Sequence, residues 1–132
     1  MNADFKPAGY NSASPYFIVD EAQKLIDFLV YVFDAKQLRR YDRNDGSIMH
    51  AELKIDDSVI MLSNATNDYP SMKIVMHVYV SNVDEIFEKA VSYGCEIIDK
   101  PKTREGDPDK RGTFKDIAGN MWSVATQEGS EG

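Results

Sequence analysis

A chain of 132 residues with 15 Lys plus Arg against 22 Asp plus Glu carries a formal charge of −7, which argues against a nucleic-acid or anionic-membrane binder working through a basic face. Its 42% apolar and 28% charged residues belong to an ordinary globular domain rather than a disordered chain. One cysteine, Cys95, and two histidines leave no internal disulfide and no Cys/His zinc cluster, and a reducing, cytoplasmic setting is the simpler expectation.

No apolar run approaches the roughly 18 residues of a membrane span, and the polar start lacks the basic and apolar blocks of a signal peptide. The polar ends, 2–13 and 127–132, are expected to carry no chemistry. The first β-prone run is 14–19, ending Tyr16-Phe17-Ile18-Val19. Asp20 with Gln23 three residues on predicts an N-capped helix to about residue 35. Ala22, Leu25, Ile26, Leu29 and Phe33 follow the 3.6-residue period on one face, widened by Phe28 and Val32.

Three short strands follow, 37–41, 48–55 and 58–63, divided by Arg43-Asn44-Asp45-Gly46 and Asp56-Asp57. In the middle strand Met49, Ala51, Leu53 and Ile55 alternate with His50, Glu52 and Lys54, which puts the apolar set toward the helix and His50 and Glu52 together on the other face.

After the polar loop 64–72 the same order restarts. A strand at 74–80 leads to a helix capped within 81–84, with Val83, Ile86, Phe87, Ala90 and Val91 on one face and Gly94 as its C-cap. Then come a strand at 95–99, a charged loop at 100–111, a strand at 112–115, a turn at 116–120 and a strand at 121–126. Sliding the first half by 61 residues places Val19 on Val80, Leu25 on Ile86, Ile26 on Phe87, Leu29 on Ala90 and Val30 on Val91. An internal repeat decides architecture before any local motif does. The expected fold is α+β: two tandem β-α-β-β-β modules, 14–64 and 73–126, joined by a linker at 65–72 in a single domain and forming a curved eight-stranded mixed sheet around a shared cleft.

Strand alternation turns Met76, Val78 and Val80 toward the second helix and Val75, His77 and Tyr79 into the cleft; in the first module it turns Tyr16, Ile18, Val59, Met61 and Ser63 inward. Trp122 is expected in the core, and Cys95, beside Ile97, as a small buried residue rather than a reactive thiol.

Three stretches carry a family resemblance: Ile48-Met49-His50-Ala51-Glu52 ahead of Asp57-Ser58-Val59-Ile60-Met61-Leu62, His77-Val78-Tyr79-Val80 leading into Val83-Asp84, and Asp116-Ile117-Ala118-Gly119-Asn120-Met121-Trp122. Over 14–126 the chain resembles the vicinal oxygen chelate superfamily of glyoxalase I, bleomycin-resistance proteins, extradiol dioxygenases and fosfomycin-resistance enzymes, and within it an uncharacterised glyoxalase-like branch. In that superfamily's metal enzymes four inward side chains, usually His, Gln or Glu, hold a divalent ion. The resemblance maps these corners to Ser14, Met61, Val75 and Ser123, none of which suits a hard cation. No metal and no cofactor are expected.

The expected ligand contacts are spread over both modules. Tyr16 and Tyr79 offer flat rings and hydroxyls, and Met61 and Met121 a pliable surface. His50, Glu52 and Ser123 supply polar points, and Arg111 reaches an anionic ligand from the charged loop. His77 is the candidate catalytic residue, as a proton carrier. Each has a plainer reading: His50 and Glu52 as a cross-strand polar pair, His77 as a hydrogen-bonded histidine of the groove floor, the tyrosines as packing residues. Two functions stay open. The first is a small-molecule-binding protein of the bleomycin-resistance kind. The second is a lyase or isomerase acting on a small carbonyl compound, metal-free through His77 or with a non-standard metal site of His50, Glu52 and His77. The sheet edges at 38–41 and 95–99 need cover, and a homodimer is expected to supply it.

Overall fold

The structure, a computed structural model, describes residues 4–129. Its elements are β1 (Tyr16–Val19), α1 (Ala22–Phe33), β2 (Lys36–Asp42), β3 (Ile48–Ile55), β4 (Ser58–Asn64), β5 (Val75–Tyr79), α2 (Val83–Tyr93), β6 (Glu96–Thr103), β7 (Asp109–Lys115) and β8 (Met121–Gln127). The chain divides into two compact units, Met1–Met72 and Lys73–Gly132.

Each unit holds one helix and one four-stranded mixed sheet, in the order β1-β4-β3-β2 in the first and β5-β8-β7-β6 in the second. The strand that opens each unit runs parallel to the strand that closes it, and the remaining pairs are antiparallel. The same topology twice in succession is the repeat read from the 61-residue offset. Among the described residues no ladder joins the two sheets, so hydrogen bonding gives two sheets of four rather than one of eight.

The first core forms where the helix stripe meets one face of the sheet. Leu25, Ile26, Phe28, Leu29 and Val32 of α1 are fully buried, as are Phe17, Leu53, Ile60 and Leu62 of the strands. Burying each such side chain contributes about 1.5–3 kcal/mol. The second core is smaller and built on Phe87, Ala90, Phe114, Trp122 and Val124, with Phe87 and Phe114 edge to face at 5.1 Å.

Three local expectations are corrected. Asp20 does not cap α1: the N-cap is Glu21, which makes no side-chain cap bond, and Gln23 instead meets Asp27 and Arg40. Asn82 does cap α2, accepting from the Glu85 backbone N–H at 3.2 Å, and Gly94 closes the helix with φ +96°. The second correction concerns the charged segment 100–111, which is mostly hairpin. Lys102 pairs with Arg111 and Thr103 with Lys110, leaving only 104–108 as loop. Pro101 is tolerated because β6 is an edge strand, where a missing N–H costs no ladder bond.

The third correction concerns Met49. Between Tyr41↔His50 and Asp42↔Ile48 the register shifts by one residue, so β3 bulges at Met49. Ile48 takes the buried side, and Met49 is turned out, half exposed.

Candidate functional site

Register places the functional side chains of the first unit. Tyr16 lies opposite Met61, Met61 opposite Glu52, and Tyr41 opposite His50. These residues share the sheet face turned away from α1, since Phe17, Leu62, Leu53 and Ile60 fill the other face. His50 and Glu52 therefore do stand together.

They form one hydrogen-bonded chain. Tyr16 Oη is 2.8 Å from His50 Nδ1, and His50 Nε2 is 2.7 Å from Glu52 Oε2. Glu52 Oε1 accepts from the hydroxyl of Tyr10 and faces Arg39 Nε at 3.9 Å. Arg39 in turn lies over the Tyr10 ring at 5.3 Å, and Tyr41 stacks on His50 with ring centroids 6.4 Å apart. Glu52 is buried at 4% exposure. Burial by itself pushes its pKa up; the hydrogen bonds from Tyr10 and His50 and the Arg39 charge outweigh it, and the carboxyl sits below the ordinary glutamate range. The Tyr10 phenol is pushed up by its bond to Glu52.

This fixes the proton order along the chain. An ionised carboxylate only accepts, so His50 donates from Nε2 to Glu52 Oε2. In the neutral imidazole Nδ1 is then the acceptor, and Tyr16 donates its hydroxyl proton to it.

Tyr16 also lines a cavity of about 400 Å³ with Ile18, Met49, Tyr69 and Arg43. The bulge in β3 is what brings Met49 to this cavity. The Arg43 guanidinium is braced by Nη1 at 3.1 Å from Ser47 Oγ and 3.3 Å from the Ile48 carbonyl oxygen.

In the second unit the exposure of Val75, His77 and Tyr79 against half-buried Met76 and Val78 bears out the expected alternation. His77 lies opposite Ser123, its Nδ1 3.0 Å from Ser123 Oγ, and its ring meets Tyr79 edge to face at 4.8 Å. Tyr79 donates to buried Asp109 Oδ2 at 2.7 Å. Met121 lies opposite Val75. Arg111 belongs to β7 rather than to a long loop, and Asp107 holds its Nη2 at 2.7 Å. Cys95 precedes β6, and burial with the Asp116 charge pushes its thiol up to about 11.

At the four positions to which the resemblance maps metal ligands, Ser14 Oγ is shielded and without a hydrogen-bond partner among the described residues, Met61 lies opposite Tyr16, Val75 is an exposed alkyl group, and the Ser123 hydroxyl meets His77. Among the described residues no three His, Cys, Asp or Glu side chains gather in a metal-holding geometry.

Sequence reasoning missed Tyr10, Arg39, Tyr41, Arg43, Met49 and Tyr69 as site residues. Tyr10 lies in a stretch expected to be inert, and it instead seals Glu52. The lone aromatic among the polar and small residues 6–15 was the available signal.

The profile of the Glyoxalase/Bleomycin resistance protein/Dioxygenase superfamily matches residues 12–124. A relative from Mycobacterium bovis, "Uncharacterized protein Mb0911c", is 30% identical over 125 residues, covering 84% of this chain and 80% of the relative. Among solved structures, TioX from Micromonospora sp. ML1 superposes with a TM-score of 0.75 at 22% identity, over 89% of this chain and 99% of that one. The fosfomycin resistance protein FosX from Listeria monocytogenes, complexed with Mn(II) and a sulfate ion, superposes with a TM-score of 0.64 at 18% identity, over 88% and 91% of the two chains. With the repeated unit, its strand order and the matched span in agreement, the chain belongs to the Glyoxalase/Bleomycin resistance protein/Dioxygenase superfamily.

Proposed function

We propose that this chain is a small-molecule-binding protein of the glyoxalase/bleomycin-resistance type, working without the divalent ion of the superfamily's metal enzymes. The observation that carries the reading is the cavity of about 400 Å³ in the first unit, walled by Ile18, Met49 and Tyr69 and edged by Tyr16 and Arg43. Apolar walls with a few fixed polar points are what an organic ligand requires. The metal corners do not fit a hard cation. A thioether and an alkyl group at Met61 and Val75 and a hydroxyl engaged with His77 at Ser123 leave only the Ser14 oxygen, too little to replace the ion's water.

A second reading is a metal-free lyase or isomerase acting on a small carbonyl compound through His77, and the support for it is an exposed imidazole oriented by Ser123. Tyr79, Arg111, Met121 and Ser123 are the ligand contacts proposed around it.

Calorimetry of a library of small organic acids, aromatics and amides against the wild-type protein and Met49→Ala tests the binding reading. The expected outcome is a ligand whose affinity falls about tenfold in Met49→Ala, the loss of one apolar contact. Metal analysis of protein purified without chelator is expected to find less than one divalent ion per chain. A stoichiometric tightly held ion, or ligands indifferent to Met49→Ala, overturns this reading.

A cytoplasmic homodimer is proposed on the same footing. The support is the edge strand β2, in which every residue is exposed. Sedimentation showing a monomer at high concentration refutes it.

A further inference from the structure

We infer that Tyr16, backed by His50 and Glu52, is an acid-base catalyst that moves a proton between carbon and oxygen of a small 2-oxo acid held in the first unit's cavity, a keto–enol tautomerisation. The inference rests on the cavity reading above, adds a reaction to it, and places the chemistry in a residue chain other than His77.

Three observations meet at Tyr16. Its hydroxyl lies 2.8 Å from His50 Nδ1. Its side chain lines the cavity. Behind it the imidazole is anchored by a buried carboxylate at 2.7 Å, which itself accepts from Tyr10. A phenol, an imidazole and a carboxylate in series form the arrangement in which a weak acid is activated by a base and the base by its orienting anion. A polar pair on one face of β3 needs only His50 and Glu52; the third member, Tyr16, lining a cavity is what the plainer reading leaves unused.

The cavity selects the substrate class. Arg43 edges it with a braced guanidinium in a chain of net charge −7, so a carboxylate is the favoured polar group. Ile18, Met49 and Tyr69 offer apolar and aromatic surface for the remainder of the ligand. A volume of about 400 Å³ suits a molecule of roughly a dozen heavy atoms.

The step balances without a cofactor. Tyr16 Oη passes its proton to His50 Nδ1 as it takes one from the carbon beside the keto group. The C–H pair becomes the C=C bond and the C=O π pair moves onto oxygen, while Arg43 holds the substrate carboxylate. His50 is now an imidazolium against the Glu52 carboxylate. Tyr16 then protonates the enolate oxygen and regains its proton from His50, and the neutral relay and an enol remain. The groups that meet the imidazole during this exchange are Tyr16 from β1, Tyr41 from β2 and Glu52 from β3, and Glu52 in turn meets Tyr10 from the N-terminal segment and Arg39 from β2.

The test uses phenylpyruvate as probe, following loss of the enol by ultraviolet absorbance while calorimetry measures its affinity. Wild-type protein is expected to accelerate ketonisation. Tyr16→Phe is expected to cut kcat about 10²-fold with affinity changed less than about twofold. Arg43→Gln is expected to weaken phenylpyruvate binding about tenfold, a loss that is read even if Tyr16→Phe fails to fold. Bound phenylpyruvate with no acceleration, or a Tyr16→Phe protein as fast as wild type, overturns the catalytic inference and leaves the binding reading standing. Failure of phenylpyruvate to bind overturns the substrate class, while the binding reading is judged separately on the library and Met49→Ala.

Discussion

His50 Nε2 lies 2.7 Å from Glu52 Oε2 although the two residues are neighbours but one along β3. Their Cα atoms stand about 6.6 Å apart at two strand steps, so the imidazole leans along the strand to reach the carboxylate. The other ring nitrogen is thereby aimed toward β1 and the Tyr16 hydroxyl.

The carboxylate of this pair makes stability depend on acid. Its pKa in the folded chain is below the ordinary glutamate range of the unfolded one, so its stabilisation is fully present above about pH 4.5 and is lost as pH falls through the folded value. Glu52→Gln is expected to cost about 2 kcal/mol at pH 7 and to flatten the acid side of the stability curve. Urea unfolding between pH 3 and pH 7 checks both; a slope as steep in Glu52→Gln as in wild type assigns the acid loss to other carboxylates.

The same pair sets the tautomer. At alkaline pH the Nδ1 of His50 is expected to show the nitrogen shift of an acceptor and Nε2 that of a protonated nitrogen, in long-range proton–nitrogen correlation spectra. Tyr16→Phe is expected to move the Nδ1 resonance and leave Nε2 nearly in place. The reverse tautomer would undo the donor order drawn for the whole chain.

Much of the fold was legible because local signals and packing agree. Alternation bounded by Asp45-Gly46 and Asp56-Asp57 delimits β3 at 48–55, as observed, and Asn82 with Gly94 delimits α2. The segment 100–111 misled because its charges and prolines read as loop, whereas an edge hairpin carries both without cost. The relay was not legible for a different reason. Tyr16 and His50 sit on strands two places apart, with β4 between them, roughly 9.6 Å across the sheet. Alternation says which way each side chain points, but only the order β1-β4-β3 says that the phenol reaches over Met61 to the imidazole. Met49 escaped because a single-residue bulge reverses its face, and nothing in the local pattern marks where a ladder slips.

Asp116 anchors the second unit's last turn. Buried at 5% exposure, its carboxylate accepts from Trp122 Nε1 at 2.9 Å, from the backbone N–H groups of Ala118 and Asn120, and from Asn120 Nδ2. Asp116→Ala orphans these donors and is expected to cost about 3 kcal/mol. Because Trp122 is the chain's single tryptophan, its fluorescence reports the loss, and an unchanged denaturation midpoint refutes the role given to Asp116.

Gly112 is held by contact rather than by backbone torsion. A Cβ added there would lie 2.6 Å from Phe87 Cζ, 2.7 Å from the Asp99 carbonyl oxygen and 2.9 Å from the Pro101 nitrogen. The ring of Phe87 can yield a little, but the two backbone atoms belong to the paired strand β6 and cannot move without opening the β6–β7 ladder. Gly112→Ala is therefore expected to cost about 1–3 kcal/mol, with the loss concentrated in that hairpin. Amide exchange reads it directly: protection is expected to fall across β6 and β7 and to persist in the first unit's β3. Uniform exchange in both units, or no change in β6, would show that the hairpin accommodates the methyl group after all.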